Sequence, residues 1–256
     1  MSADSEATTK LTTTFDEDGF VALPSFLDAR ELRELNDRLS YFIAEIVPTM
    51  PREHVFFEDK GRSETLKQLQ SLHEYDEYFA QLFTAGKFPE LASTLLGDDV
   101  VPVNFQYFNK PPGVGQPTPA HQDGYYFMLR PCEAVTMWLA LDDVDEENGC
   151  VRYVVGSHRA GMRHHSRTKT LGFSQGIADY PSVVEAANEV TCPARPGDLL
   201  VHHALTIHRA DGNRSRVRTR RALGLIYYAA RAEVDQAAKS EYQERLTREL
   251  VSQEKI

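Results

Sequence analysis

The sequence predicts a mainly β domain, a sandwich or barrel with helices packed outside it. Three observations favour this class. Helical spacing of apolar residues is confined to the first hundred residues and the C-terminal end. Short runs rich in β-branched and aromatic residues fill the middle, and turn sequences such as PPGVG and DEENG separate them. The length of 256 residues suits one large domain of this kind.

Four helices are predicted from apolar residues at helical spacing. They cover residues 28–47, 64–83, 89–96 and 234–251. Asp28 and Glu31 have the spacing of a capping box at the start of the first helix, and Gly97 suits the end of the third. Residues 1–14 are polar and rich in Ser and Thr, so we expect a disordered tail before a single domain over residues 15–256.

Five strands are predicted between turn signals, over residues 100–109, 135–141, 151–155, 198–203 and 220–228.

Composition narrows the function classes further. Lys and Arg total 28 against 38 for Asp and Glu, and the net charge of −10 disfavours nucleic acid and anionic membranes as partners. The start MSADSEATTK lacks the features of a secretory signal. Three widely spaced cysteines suggest no disulfide framework, so a cytoplasmic location is expected.

His121 and Asp123 are the first candidate metal ligands. Residues i and i+2 of a strand point to the same side, so an imidazole and a carboxylate would converge there. The pair alone is also compatible with a surface turn. A third ligand could come from His202, His203 or His208, although adjacent residues of a strand point to opposite faces. Two histidines and one carboxylate leave coordination positions open, which indicates non-haem Fe(II) chemistry rather than a closed zinc site.

Arginines are concentrated after the last of these histidines, with six between residues 208 and 221. Such a cluster is typical of either a nucleic-acid patch or a solvated loop. The acidic balance of the chain favours the loop. One arginine at the start of the following strand could point inward and bind a carboxylate through its planar fork.

Five blocks between residues 15 and 228 carry a family resemblance. They are FDEDGFVALPSFLD, NFQYFNKPPG, HQDGYYFMLRP, WLALDDVDEENGCVRYVVGSHRAG, and PGDLLVHHALTIHRADGNRS followed by RRALGL. In their order and spacing, these blocks resemble those of the phytanoyl-CoA dioxygenase family of Fe(II)/2-oxoglutarate oxygenases. The resemblance implies a mainly β fold with flanking helices around a double-stranded β-helix (jelly roll, cupin-like) core.

The resemblance also assigns site residues. The iron ligands and catalytic centre fall on His121, Asp123 and His208. The arginine for the far carboxylate of 2-oxoglutarate falls on Arg220, with Arg218 as an alternative because the loop is one residue longer than usual. Further co-substrate contacts fall on polar and aromatic positions of two strands, namely Asn104, Gln106, Lys110 and Trp138.

The implied activity is a 2-oxoglutarate-dependent non-haem iron dioxygenase that uses Fe(II), 2-oxoglutarate and O2. It would oxidise an unactivated C–H bond of a small-molecule metabolite and release succinate and CO2. Hydroxylation is favoured, and ring closure or desaturation in natural-product biosynthesis is the alternative. Asp123 argues against halogenation, because the halogenating relatives lack this carboxylate. A non-catalytic metal-binding jelly roll is the alternative from another class.

The substrate is expected to be a small polar metabolite rather than a CoA thioester. Candidate substrate contacts are residues that follow the metal motif or lie between the later strands: Tyr125, Phe127, Phe173, Gln175 and His203. No nucleic-acid or membrane partner is expected, and the chain is expected to be a monomer or homodimer.

Overall fold

The computed structural model describes residues 3–170 and 173–252. The strands are β1 (Phe20–Leu23), β2 (Val55–Phe57), β3 (Leu66–Leu69), β4 (Val100–Asn109), β5 (Thr118–His121), β6 (Leu129–Arg130), β7 (Ala134–Ala140), β8 (Val151–Val154), β9 (His165–Thr170), β10 (Phe173–Ile177), β11 (Glu189–Cys192), β12 (Leu199–His203), β13 (His208–Ala210), β14 (Arg221–Ala229) and β15 (Glu233–Val234). The helices are α1 (Ala3–Asp18), α2 (Ala29–Tyr41), α3 (Leu72–Tyr75), α4 (Glu77–Thr84), α5 (Lys87–Leu96), α6 (Gly124–Phe127), α7 (Val183–Asn188) and α8 (Gln236–Ser252).

Two antiparallel sheets form the centre of the fold. The larger has seven strands in the order β1-β12-β7-β14-β4-β3-β2, and the smaller has four in the order β11-β8-β13-β5. Side chains of both sheets, among them Trp138 and Tyr153, pack into one buried cluster, so the sheets face each other. Two short antiparallel pairs, β9 with β10 and β6 with β15, complete the strands. This arrangement confirms the predicted jelly-roll core with flanking helices.

The main hydrophobic core lies between the large sheet and the helices. Along β7, Val135, Met137 and Leu139 join this core, whereas Trp138 packs on the side of the small sheet. The alternation follows from the two-residue period of a strand. Large fully buried side chains from α4, α5 and β4 fill the layer, including Phe79, Phe83, Phe88 and Phe105. Burial of each such side chain contributes about 1.5–3 kcal/mol.

Local signals predicted several elements well. The Asp28 side chain accepts from the backbone N–H of Glu31, and the Glu31 carboxylate accepts from the N–H of Asp28, which confirms the capping box. The α-helix that follows ends at Tyr41, and a π-helical segment continues directly from Phe42 to Ile46. At Gly97, a φ of +60° ends α5 in the left-handed conformation that glycine adopts without strain.

The prediction of a disordered tail over residues 1–14 was wrong for the described part of it. Residues 3–18 form α1, in which Phe15 is buried and Leu11 packs against the main core. These two residues are four apart and share one helix face. The Thr-rich composition has low intrinsic helix propensity, so the packing of this face outweighs it.

The prediction of one helix over residues 64–83 was also wrong. Residues 66–69 instead form β3, whose Gln68 and Leu69 pair with Phe108 and Tyr107 of β4. Ser71 then adopts a φ of +57°, and α3 and α4 follow. The spacing of apolar residues in this segment is compatible with a helix. Pairing with β4 instead provides its backbone groups with hydrogen bonds within the sheet.

Asp76 links two helices and offers a test of this packing. Its carboxylate caps α4 by accepting from the N–H groups of Tyr78 and Phe79, and it forms an ion pair with Arg38 of α2. Asp76→Ala removes the cap and leaves Arg38 unpaired, so we expect the free energy of unfolding to fall by about 2–3 kcal/mol. Urea denaturation measures this change. Asp37→Ala, an exposed position in α2, is the control and should leave it within about 0.5 kcal/mol.

Candidate metal centre and co-substrate pocket

The triad His121, Asp123 and His208 comes together at one end of the small sheet. His121 ends β5 and His208 begins β13, and the two histidines are direct partners in the register of these neighbouring strands. Asp123 lies two residues after His121, at the start of α6. One ligand atom from each residue lies within 4.8 Å of the others. This is the spacing that a single metal ion needs, and the chemistry of the donor set is that of a non-haem iron site.

Both imidazoles are oriented by backbone carbonyls. His121 Nδ1 lies 2.8 Å from the carbonyl oxygen of Pro119, and His208 Nδ1 lies 3.0 Å from that of Thr206. A carbonyl oxygen only accepts, so each Nδ1 carries the hydrogen and each Nε2 presents its lone pair. The two Nε2 atoms lie 3.4 and 3.6 Å from Asp123 Oδ1. The three ligand atoms therefore point to a common centre.

Asp123 uses its second carboxylate oxygen differently. Oδ2 accepts a 2.6 Å hydrogen bond from the Thr136 hydroxyl and lies 3.1 Å from His202 Nε2. Burial raises the pKa of this carboxyl, but the adjacent imidazoles of His208, His121 and His202 outweigh burial and hold the pKa well below its usual value. Burial lowers the pKa of His208 well below its usual value, and His121 adds to the shift. The site therefore holds an ionised carboxylate beside neutral imidazole, the states that bind a metal.

Arg220 is a buried cation for which the described residues provide no anionic partner within ion-pair distance. It precedes β14, is 4% exposed, and its guanidinium carbon lies 5.4 Å from the centre of the Trp138 ring. Its Nε has no hydrogen-bond partner among the described residues. Burial lowers its pKa to about 10. Arg218, by contrast, pairs with Asp145 and Glu147. Of the two arginines, Arg220 has the chemistry of a carboxylate-binding group.

The metal centre and Arg220 both lie against the face of β7 that is turned toward the small sheet. Thr136 contacts Asp123, and Trp138, two residues further on the same face, contacts the guanidinium of Arg220. Two residues of a strand span about 7 Å. A five-carbon dicarboxylate such as 2-oxoglutarate is long enough to reach from the metal centre to this guanidinium. The residues present therefore fit this co-substrate.

The other predicted co-substrate contacts lie on or after β4. Gln106 Oε1 accepts from Gln68 Nε2 at 2.9 Å, and Asn104 Oδ1 accepts from the backbone N–H of Ser71 at 3.1 Å. Through strand pairing, Gln106 lies in one row with Gly224 and Trp138. Lys110 is buried, and its ammonium donates to the carbonyls of Gln116 and Asp211 at 2.8 and 2.7 Å. Lys110 thus ties the turn after β4 to the loop after β13, and its role as a co-substrate contact stays a prediction.

Aromatic residues surround the approach to His121. Tyr125 stacks on His165 with ring centroids 4.5 Å apart, and the Tyr126 ring lies 6.1 Å from the His121 ring. The Tyr126 hydroxyl donates to the carbonyl of Gln175 at 2.8 Å, which ties this wall to β10. Phe127 is buried and packs against Tyr228. The side chain of Phe173 lies outside the described residues.

His203 does not lie beside the triad, so its assignment as a substrate contact is corrected. Its ring packs against Phe15 and His158, with centroids 6.2 and 5.6 Å away, and its Nδ1 accepts from the N–H of Leu205. The neighbouring His202 points to Asp123 instead. Successive residues of β12 alternate between the two faces of the sheet, so only one of them can face the metal centre.

His203 predicts a measurable pH dependence of stability. Burial, together with His158 and His202, lowers its pKa to about 4. Between pH ~6.5 and 4 the unfolded chain therefore binds a proton that the folded chain does not, and stability falls as the pH falls. His203→Asn keeps an acceptor for Leu205 and removes the titration. Over this pH range, the free energy of unfolding of the variant should fall by up to about 3 kcal/mol less than that of the parent. If urea titrations at pH 7 and pH 4.5 show the same fall for variant and parent, the assignment is contradicted.

Sequence reasoning missed several residues that hold the ligand segment in place. Gln122, between two ligands, is fully buried and donates to the carbonyls of Gly161 and Leu205, while its backbone N–H donates to His165 Nε2 at 3.1 Å. Thr136 and His202 were missed as partners of Asp123. The alternation of strand residues was the one signal that could have selected His202 or His203, but it does not say which of the two faces inward.

Comparison with solved structures agrees with the fold. The epimerase SnoN, in complex with Fe3+, alpha ketoglutarate and nogalamycin RO, is 25% identical with a TM-score of 0.72, covering 90% of this chain and 87% of that one. EvdO2 from Micromonospora carbonacea var. aurantiaca is 25% identical with a TM-score of 0.68, covering 88% and 92%. With the triad and the buried arginine, these matches define the class: a non-haem iron dioxygenase dependent on 2-oxoglutarate.

Sequence comparison identifies the family within this class. The profile described as Phytanoyl-CoA dioxygenase (PhyH) matches residues 15–222, and the chain belongs to this family. Phytanoyl-CoA dioxygenase 1 of Oryza sativa subsp. japonica is 28% identical, covering 82% of this chain and 85% of its own. A probable alpha-ketoglutarate-dependent hypophosphite dioxygenase of Stutzerimonas stutzeri is 27% identical, covering 83% and 75%. These relatives confirm the predicted family, and they differ in the substrates that their names state.

Proposed function

We propose that this dioxygenase hydroxylates an unactivated C–H bond of a small polar metabolite. In this proposal His121, Asp123 and His208 bind Fe(II), and Arg220 binds the far carboxylate of 2-oxoglutarate. One observation carries the assignment of roles: an open triad lies along one inner sheet face with a buried guanidinium that has no anionic partner among the residues the structure describes. A carboxylate bound beside the guanidinium would compensate its buried charge, and this favours a dianionic co-substrate.

The protein groups prepare the site for this reaction. When bound, iron with 2-oxoglutarate and O2 supplies the oxidant for the C–H bond, and succinate and CO2 are released. The carbonyls of Pro119 and Thr206 hold the ligand imidazoles in one tautomer. Asp123 supplies one negative charge, and Arg220 orients the co-substrate through its far end. Tyr126 places an aromatic ring beside His121 and shields this side of the centre from water.

The walls of the site favour an uncharged or weakly charged substrate. Tyr125, Tyr126 and Phe127 contribute aromatic surface, and we assign Tyr125, Phe127 and Gln175 to substrate contact. A CoA thioester or nucleic acid would need free cations for its phosphates. Of the six arginines between residues 208 and 221, three are instead engaged with carboxylates: Arg209 with Glu189, Arg218 with Asp145 and Glu147, and Arg221 with Asp142. This pairing supports a small metabolite as the substrate and disfavours both phosphate-rich partners.

Ring closure or desaturation is the second candidate outcome of the same chemistry. SnoN is an epimerase, and this supports products other than alcohols for oxidation within this structural class. Mass spectrometry of the product distinguishes them. A gain of one oxygen atom supports hydroxylation, and a loss of two hydrogens supports ring closure or desaturation.

Anaerobic titration with Fe(II) and 2-oxoglutarate tests the proposed site. A chelated 2-oxo acid on Fe(II) gives a weak visible charge-transfer band, which we expect for the parent chain and not for His208→Ala. Arg163→Ala is a control variant, because this cation pairs with Asp179 and Glu185. If the folded parent gives no band at saturating iron, the proposal fails and a non-catalytic metal-binding jelly roll takes its place. A panel of polar metabolites, scored by succinate release, then narrows the substrate.

We further propose a cytoplasmic monomer or homodimer. Cys132, Cys150 and Cys192 are all free thiols, which supports a reducing compartment. Among the helices of the described ranges, none has the length and apolar character needed to cross a membrane. Light scattering after size-exclusion chromatography measures the oligomeric state.

A further inference from the structure

The paired histidines of β12 leave one imidazole that the triad does not use. His202 Nε2 lies 3.1 Å from Asp123 Oδ2, and His202 Nδ1 lies 3.0 Å from the Tyr153 hydroxyl. An ionised carboxylate only accepts hydrogen bonds, so Nε2 carries the hydrogen. In the neutral imidazole Nδ1 then accepts, and the Tyr153 hydroxyl donates to it. The result is a directed chain from Tyr153 through His202 to Asp123.

We propose that His202 and Tyr153 are positioning residues that hold the Asp123 carboxylate with Oδ1 directed toward the two ligand imidazoles. This inference rests on the proposed role of Asp123 as a ligand. Neither residue belongs to the triad. Tyr153 acts through its hydrogen bond to His202, and His202 acts through its hydrogen bond to Asp123.

The division of the Asp123 carboxylate supports this role. Oδ1 faces the Nε2 atoms of His121 and His208, while Oδ2 is held by Thr136 and His202. Turning Oδ2 away from Thr136 and His202 would break two hydrogen bonds to a charged acceptor, so these bonds keep the carboxylate in this orientation. Oδ1 would thus be the oxygen that holds iron together with the Nε2 atoms of His121 and His208.

Strand pairing places both donors and Tyr153 with little freedom. Thr136 and His202 are direct partners in the register of β7 and β12, so they approach Oδ2 from neighbouring strands. Tyr153 is the direct partner of His208 in the register of β8 and β13. Its hydroxyl therefore connects the small sheet, which carries His208, to His202 of the large sheet. Phe20 of β1 stacks on the Tyr153 ring at 4.5 Å and limits its movement.

Metal affinity tests the inference without turnover. Anaerobic competition between the protein and a chromophoric chelator gives the Kd for Fe(II). We expect His202→Phe to weaken binding by about 10–100-fold, the usual effect of losing a hydrogen-bond partner of a ligand. His202→Gln keeps an N–H donor near the position of Nε2 and should recover most of the loss. Tyr153→Phe, which removes only the hydroxyl, should weaken binding by a smaller factor.

A double variant shows whether Tyr153 acts through His202. In the His202→Phe background, Tyr153→Phe should have no further effect on the Kd. His203→Gln is the matched control, because His203 is the next residue of the same strand and faces Phe15 and His158. Its Kd for Fe(II) should equal that of the parent.

The outcomes separate this inference from the proposed function. If the parent itself does not bind Fe(II), the proposed metal site fails. If the parent binds and folded His202→Phe binds within twofold of it, the positioning role is overturned. Should His202→Phe not fold, parent-like affinity of Tyr153→Phe overturns the role of Tyr153 in the same way. Equal losses in His202→Gln and His202→Phe would also overturn it, since the donor would then not matter.

Discussion

Asp123→Ala is expected to abolish the 2-oxoglutarate turnover of this chain. The substitution removes the only carboxylate of the proposed ligand set and leaves His121, His208 and His202 around an uncharged gap. A neutral set of two imidazoles binds a divalent ion far more weakly, so succinate formation should fall by more than the ~100-fold that changes around a ligand cause. Anaerobic Fe(II) binding and succinate release measure the two losses separately.

Two further variants at the same position make this expectation specific. Asp123→Glu keeps the charge but moves it by one methylene, so it should bind metal more tightly than Asp123→Ala and still turn over slowly. Asp179→Ala removes an exposed carboxylate elsewhere and should retain activity within about twofold. If folded Asp123→Ala keeps a tenth of the parent's succinate formation, Asp123 is not a ligand.

Arg220→Leu is expected to have opposite effects on co-substrate binding and on stability. Loss of a buried charge-assisted contact costs about 2–4 kcal/mol, which corresponds to a 2-oxoglutarate Kd raised about 30–1000-fold. The same change removes a buried cation whose pKa is lowered to about 10 by burial. Without co-substrate, an apolar side chain at this position should raise the free energy of unfolding by about 1–3 kcal/mol.

Both effects need to be measured on the same protein preparation. Titration with 2-oxoglutarate in the presence of Fe(II) gives the Kd, and urea denaturation of the metal-free chain gives the stability. Arg218→Leu is the matched control, because Arg218 pairs with Asp145 and Glu147 near the surface. Its Kd should not change. A stability that falls in Arg220→Leu together with an unchanged Kd would mean that Arg220 is only a structural residue.

Long strands with clear ends were predictable because their signals are local. The strand over residues 100–109 is observed as predicted, and β7, β12 and β14 begin and end within one residue of their predictions. The family motifs also selected three residues that the fold brings within 4.8 Å of one another, although their separation along the chain hides this. The helix predicted over residues 64–83 failed because pairing of β3 with β4 depends on a strand more than thirty residues away.

The surroundings of the metal centre could not be predicted in the same way. Which of His202 and His203 faces inward depends on the register of β12 against β7, and that register is set by the whole large sheet. The bond from Tyr153 to His202 depends in addition on how two sheets face each other. The motif left the choice between Arg218 and Arg220 open, because the loop is one residue longer than usual. Only the fold shows that Arg218 pairs with Asp145 whereas Arg220 is buried.

The alternation of side chains along the large sheet has a consequence for how this enzyme can be changed. The outward residues of β7, β12 and β14 hold the helices, and inward residues such as Trp138, Leu200, Ala222 and Ile226 line the opposite side. Leu200 is 1% exposed within the cluster between the two sheets, so a smaller side chain there should open space between the sheets at a cost in stability. Adjacent residues of one strand therefore belong to two different packing layers, and a substitution in one layer leaves the contacts of the other layer in place.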